Sequence, residues 1–210
     1  MKILIVGGAG YIGSVLTPYF LKKGYSVTVL DNLYYKQDSL IGICHSNLFE
    51  FQHGDARNEK LLQDIIPKFD IIIHLAGLVG APACDKNRKL AISSNYKSIK
   101  SLIKYSSLEQ KILFPTTNSG YGIGIDEEYC TEKSHLNPIS LYGKTKVDAE
   151  KIILDAGNAL SLRLATVFGV SPRMRMDLIV NDFVYKAFSD GYLVLFEEQF
   201  KRNFIHINDV

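Results

Sequence analysis

An α/β fold built on a doubly wound parallel sheet is predicted by three features of the 210-residue chain: short apolar runs alternate with helical stretches throughout, the first run opens into a glycine-rich turn, and the second ends in an acidic residue. The first run, Lys2-Ile3-Leu4-Ile5-Val6, is continuously apolar, as a strand covered on both faces should be. It leads into Gly7-Gly8-Ala9-Gly10-Tyr11-Ile12-Gly13, and a helix is predicted over Tyr11 to Lys23, ended by Gly24 as a left-handed cap. Tyr25 to Leu30 is a β-branched strand finishing in Asp31, Leu48 to Gln52 is a third strand, and Lys60 to Pro67 is a short helix. Phe69 to Gly77 reads as a fully buried fourth strand and Lys86 to Leu108 as a helix containing Asn95. Ile112 to Phe114 is the fifth strand, Tyr142 to Ala156 a long helix and Ala159 to Leu164 the sixth strand. Pro172 to Met176 breaks the pattern before a helix over Asp177 to Ser189.

The turn and its surroundings point to a dinucleotide. Glycines at 7, 10 and 13 let the backbone approach a pyrophosphate, and the free N–H groups of the following helix face the phosphates, an arrangement of the Rossmann type. Asp31, about 20 residues past the turn, can accept both ribose hydroxyls of the adenosine half. It would repel a 2′-phosphate, which favours NAD over NADP. A flavin dinucleotide is the alternative occupant of such a turn.

Tyrosine and lysine four apart lie on one face of a helix, so phenol and ammonium reach the same bound molecule. The spacing occurs at Tyr19/Lys23, Tyr96/Lys100, Tyr129/Lys133 and Tyr142/Lys146. Only Tyr142 begins a helix directly after the fifth strand and its loop, at the carboxyl edge where ligands bind in this architecture. The pair disfavours a flavin enzyme. A neighbouring ammonium and the nicotinamide ring are expected to draw the phenol pKa down from about 10 toward working pH, making it a usable base. Thr117, in the loop after the fifth strand, offers a hydroxyl that can hold a reacting alcohol in line for hydride transfer.

Composition narrows the remaining classes. A formal net charge of +2 without a basic run gives no electrostatic case for nucleic acid. Cys44, Cys84 and Cys130 are scattered, with no metal spacing and no disulfide framework, so a reducing cytoplasm is expected and no metal. Ile3 to Leu21 carries no charge, but its glycines, Thr17 and Pro18 interrupt it, and the nucleotide turn accounts for it better than a membrane span or a signal peptide.

GGAGYIGS, Asp31-Asn32-Leu33, His53-Gly54-Asp55-Ala56-Arg57, His74-Leu75-Ala76-Gly77, Asn95, Thr117 with Tyr121-Gly122, Tyr142-Gly143-Lys144-Thr145-Lys146 and Arg202 to His206 together resemble the extended short-chain dehydrogenase/reductase family. The likeness is to its NAD-dependent nucleotide-sugar epimerase/dehydratase branch and spans nearly the whole chain. It implies a catalytic group of Thr117, Tyr142 and Lys146, with Lys146 also on the nicotinamide ribose. It implies NAD contacts from Gly7, Gly10, Tyr11, Ile12, Gly13, Asp31, Asn32, Leu75, Ala76, Gly77, Asn95, Tyr142 and Lys146, with Asp55 and Ala56 on adenine. Substrate contacts are implied from Thr117, Asn118, Asn181 and Arg202, the last two on the diphosphate.

The implied chemistry is oxidation at C4 of a hexose or heptose on a nucleoside diphosphate, by a 4-epimerase or a 4-dehydrogenase. A dehydratase is disfavoured, because Asn118 and Ser119 stand where dehydratases carry acidic proton carriers. TTNSGYG, LATVFG and RMRMDLIVND resemble a smaller bacterial group that includes enzymes of GDP-linked heptose. An NAD-binding domain over 1-165 and the beginning of a substrate lobe over 166-210, apparently truncated, are expected. The alternatives are therefore a catalytically silent NAD-binding sensor or scaffold, or an inactive fragment. A homodimer through the helix bearing Tyr142 is implied, although its outward face carries Lys144, Asp148, Lys151 and Asp155.

Overall fold

The computed structural model describes residues 1–123 and 129–210. Its main sheet has six strands, β1 (Lys2–Val6), β2 (Ser26–Asp31), β3 (Phe49–His53), β4 (Ile71–His74), β5 (Lys111–Thr117) and β6 (Ala159–Leu164), in the order β3-β2-β1-β4-β5-β6. Every neighbouring pair is parallel. The chain winds outward from β1 to β3, then returns to place β4 on the other side of β1. The crevice at the carboxyl ends of β1 and β4 is thus the topological switch point, where such sheets bind ligands.

Alternation along the strands divides the core into two faces. Leu4, Val6, Ile72, Ile112 and Phe114 pack on one side against Ile99, Leu102, Ala149 and Ile153. Ile3, Ile5, Val27, Val29 and Ile73 face the other way, toward Leu16 and Phe20 of α1 (Gly13–Lys22). Two glycines make the switch point possible. Gly7 has φ +82°, and a Cβ there would lie 2.5 Å from the amide nitrogen of Ala76. At that crossing the amides of Leu75 and Ala76 both donate to the Val6 carbonyl, at 2.7 and 2.8 Å. A Cβ on Gly13 would lie 2.5 Å from Gly8 Cα, so the start of α1 presses directly on the turn.

Several boundaries differ from the sequence expectation for identifiable reasons. The helix after the turn begins at Gly13 rather than Tyr11, because residues 7 to 12 are used by the turn itself. β4 ends at His74 instead of Gly77, since the next two amides bend over β1. β5 runs on through Pro115 to Thr117. Proline is tolerated because the β4 pairing stops at Leu113, leaving no neighbouring strand that needs its missing N–H.

The helix expected over 86 to 108 is broken into pieces. α2 (Glu59–Ile65) precedes β4, and α3 (Ala81–Lys86) and α4 (Arg88–Ile92) follow it, separated by Asn87 at φ −137° and ψ 72°. Asn87 caps α4 by accepting from the Leu90 amide at 3.1 Å. A π-helical turn over Ser93–Lys97 then leads into α5 (Ser98–Tyr105).

α6 (Leu141–Asp155) starts where expected, capped by Ser140, whose Oγ accepts from the Gly143 amide at 3.0 Å. Beyond β6, β7 (Thr166–Phe168) and β8 (Phe204–His206) form a separate parallel pair, with α7 (Ile179–Ser189) between them in sequence. Among the described residues no helix is long and apolar enough to cross a membrane, and no group of His, Cys, Asp and Glu could hold a metal. Cys44, Cys84 and Cys130 are free thiols.

Candidate active site

Among the described residues, the amides of Tyr11, Ile12 and Gly13 donate to no protein acceptor, although they stand at the start of α1. Unspent N–H groups at the positive end of a helix dipole fit a pyrophosphate. Asp31, at the end of β2, reaches into the same turn: its carboxylate accepts from the amides of Ala9 at 3.0 Å and Leu33 at 2.8 Å. Burial pushes its pKa up, and those two amides pull it back. Oδ1 also accepts from Gln37 Nε2 at 3.4 Å, while Oδ2 keeps a second lone pair for a ribose hydroxyl.

Farther along this edge, Asn32 Nδ2 donates to Asp55 at 3.1 Å, and Arg57 forks onto Asp55 at 2.9 and 2.7 Å. The guanidinium holds the Asp55 pKa down at about 2. Ala56 packs beside them on the core. The Tyr11 phenol turns away from the turn, donating to the Gly169 carbonyl at 2.6 Å and accepting from Asn181 at 3.2 Å. Ser171 Oγ donates to the Tyr11 carbonyl at 2.7 Å, so the segment after β7 is fastened to the glycine turn.

Tyr142 occupies the first turn of α6, half-buried against Leu78, Cys84 and Ala91. Thr117 ends β5, and the 3₁₀ turn Asn118–Tyr121 follows immediately. Gly143 brings these pieces together, since a Cβ there would lie 3.1 Å from the Ser119 carbonyl oxygen. Burial pushes the Tyr142 phenol up to about 12, while the nearby Thr117 side chain and the charge of Arg175 act to lower it. The Thr117 hydroxyl itself donates to Ser119 Oγ and accepts from the Ser119 amide, both at 3.1 Å.

In the protein alone, Thr117 and Arg175 rather than the Lys146 ammonium lower the phenol pKa. Lys146 Nζ donates to the Pro115 carbonyl at 2.8 Å and sits 3.9 Å from the centroid of the Phe114 ring. Burial depresses its pKa to about 7, opposed by the Glu150 carboxylate one turn further on. Beneath it His74 is fully buried, with its ring centroid 6.2 Å from that of Phe114. Burial and then the Lys146 charge drive its pKa to about 3, so the imidazole stays neutral.

The remaining expected positions divide into two kinds. Asn95 is spent inside the protein: Oδ1 accepts from the Leu78 amide at 2.7 Å, and Nδ2 donates to the Leu78 carbonyl at 2.9 Å and to Thr145 at 3.3 Å. It shapes the strand-end loop after Gly77, where a Cβ would meet its Oδ1 at 2.8 Å. Asn181 is likewise buried, accepting from the Gly169 amide at 2.9 Å and donating to the Arg175 carbonyl at 3.0 Å as well as to Tyr11. The structure therefore does not bring its amide to the Thr117 face. Asn118 and Arg202 are available there: Arg202 is exposed, and Asn118 Nδ2 donates to the next residue, Asn203, at 2.5 Å.

Arg175 is the residue sequence reasoning missed. It is paired with Asp177, and its charge acts on both Tyr35 and Tyr142. Arg173 lies over the Tyr35 ring, 4.4 Å from its centroid. The segment RMRMDLIVND carries Arg175, but two arginines inside a Pro- and Met-containing break have no period to place their side chains.

The model of the family described as "NAD dependent epimerase/dehydratase family" matches residues 3–210. UDP-glucose 4-epimerase GEPI42 of Cyamopsis tetragonoloba is 32% identical over 168 residues, covering 75% of this chain and 47% of that protein. Protein CapI of Staphylococcus aureus is 28% identical over 233 residues, covering 100% of this chain and 67% of that protein. A crystal structure of UDP-glucuronic acid 4-epimerase from Bacillus cereus in complex with UDP-glucuronic acid and NAD matches with a TM-score of 0.87 at 26% identity, covering 100% of this chain and 70% of the other. The chain spans about half the length of the relatives matched, with shares of 47%, 49% and 53% for three of them.

Proposed function

Because the chain belongs to the NAD dependent epimerase/dehydratase family, we propose that it binds NAD along the carboxyl edge of the sheet and oxidises C4 of a sugar carried on a nucleoside diphosphate, as a 4-epimerase or a 4-dehydrogenase. The observation that carries this reading is that Thr117, ending β5, and Tyr142, in the first turn of α6, stand together at the carboxyl edge of the sheet, where the Thr117 side chain acts on the phenol. NAD, when bound, supplies the hydride acceptor. The free amides of Tyr11, Ile12 and Gly13 suit its pyrophosphate, Asp31 its adenosine ribose, and Lys146 its nicotinamide ribose.

Tyr142 takes the proton of the C4 hydroxyl, while Thr117 holds the same oxygen and fixes its direction. The Arg175 charge and the positive end of α6 favour the phenolate. In an epimerase the hydride taken from C4 is given back to the other face of the turned ketosugar, and the phenol returns the proton to its oxygen; a dehydrogenase releases the ketosugar. Asn118 and Ser119 carry no acid for elimination, which supports these outcomes over dehydration. On this reading residues 1-165 form the NAD-binding domain, residues 166-210 begin the substrate lobe with Arg202 on the diphosphate, and the assembly is a homodimer in a reducing cytoplasm.

Uridine diphosphate sugars are the first substrates to test, on the printed names of the relatives, and a GDP-linked heptose comes next on the TTNSGYG, LATVFG and RMRMDLIVND segments. Incubation with NAD and each sugar, followed by proton NMR of the products and NADH absorbance, should give a C4 epimer or a 4-ketosugar. NAD binding without conversion of any sugar would leave the silent sensor as the better reading. Absence of NAD binding would end both.

A further inference from the structure

Arg163 stands on β6 opposite Thr116 in the β5–β6 register, beside the strand end that carries Thr117. Its Nε donates to Glu150 Oε1 at 2.9 Å and Oε2 at 3.2 Å. Its Nη1 donates to the Tyr121 hydroxyl at 3.1 Å and to the Glu132 carbonyl at 3.1 Å, and the guanidinium carbon lies 5.2 Å from the centroid of the Tyr121 ring. Ser161 Oγ donates to Glu150 Oε1 at 3.0 Å. The ion pair is largely buried, with side-chain exposures of 17% for Arg163 and 6% for Glu150.

The two ends of this network belong to the two halves of the site. Glu150 follows Lys146 by four residues, as Lys146 follows Tyr142, so all three share a face of α6. Tyr121 closes the turn that begins at Thr117. Turn and helix also touch with little between them: a Cβ on Gly120 would lie 2.9 Å from Val147 Cγ2. Close packing of this kind passes a displacement on rather than absorbing it. A buried ion pair is weak evidence for stability, and fixing one arrangement is the role that suits this one.

We propose that Arg163 is a positioning residue that, through Glu150 and Tyr121, clamps the Thr117 turn onto the helix bearing Tyr142 and Lys146. None of the three clamp residues is catalytic; they act through the hydroxyl and phenol they hold together. The consequence for turnover rests on the function proposed above, whereas the clamp itself can be tested on the protein alone.

The test compares wild type with Tyr121→Phe, which removes one hydroxyl and keeps the ring, and with Arg163→Lys, which keeps the charge but loses the fork. Amide hydrogen exchange over residues 118–122 should quicken about tenfold in Tyr121→Phe, the effect of losing one hydrogen bond, and more in Arg163→Lys. The amides of β1 and α1 should exchange as before, and NAD affinity should not change. In turnover, kcat for the nucleotide sugar should fall by about tenfold in Tyr121→Phe with KM within about twofold.

Unchanged exchange at 118–122 in both folded variants would overturn the clamp. So would faster exchange with kcat unaltered, since the network would then be structural only. If the wild type binds NAD and converts no sugar, the proposed function fails, and the exchange data still decide whether the clamp exists.

Discussion

Replacing Tyr142 by phenylalanine is expected to lower turnover of the nucleotide sugar by about 10²–10⁴-fold, the usual contribution of a positioned general base. The ring is retained, so packing against Leu78, Cys84 and Ala91 should survive, and NAD affinity should stay within about threefold. The wild-type rate should rise with pH. In the protein alone burial holds the phenol near 12, and the positive charges gathered around it on binding can only bring it partway down. Steady-state rates across pH check this directly: the wild type should show a basic limb and the Phe variant a flat, low profile. A variant that keeps most of its rate would show that the phenol is not the base.

Lys146→Met should move stability and activity in opposite directions. A lysine whose folded pKa is about 7 is protonated more readily in the unfolded chain, where the value is about 10.4. Between those values the unfolded state binds more protons, so stability rises with pH across that window, and below it the burial penalty on the ammonium is felt in full. Methionine keeps the apolar stem and removes the charge, at the cost of the hydrogen bond to the Pro115 carbonyl. The variant is therefore expected to be about 1–2 kcal/mol more stable than wild type at pH 6, with the difference shrinking toward pH 9 and above. Its turnover should fall by about 10²-fold or more. Urea denaturation at the two pH values, alongside NADH-linked rates, measures both effects. Such an exchange of stability for function is expected where a charge is buried for use.

Much of the fold was legible because its signals are local. The glycine turn, the apolar runs and Asp31 at the end of β2 each declare themselves within a few residues, and the strand order follows from their alternation. The helix expected over 86 to 108 was not a local matter. Its interruption at Asn87 and the π turn around Asn95 accompany hydrogen bonds that Asn95 exchanges with the Leu78 backbone and donates to Thr145, which no periodicity reveals. β7 and β8 escaped notice for the same reason: three residues at Thr166–Phe168 pair with three at Phe204–His206, too short and too distant to leave a pattern.

In the site, the positions of Thr117 and Tyr142 at the strand ends could be read from their order along the chain. The phenol pKa could not be read, because it depends on burial. Nor could the separation of Lys146 from that effect, which depends on where the Pro115 carbonyl and the Phe114 ring lie. Arg175 was hidden because its charge reaches Tyr142 only across the fold.

On the proposed function, one phenol and one hydroxyl meet on one sugar oxygen. A crystal structure of the protein with NAD and a nucleotide sugar tests it most directly. Tyr142 Oη and Thr117 Oγ1 should both lie within about 3.2 Å of the C4 oxygen. A sugar whose C4 oxygen touches neither group, or a Thr117 turned from Tyr142 once both ligands are bound, would contradict it.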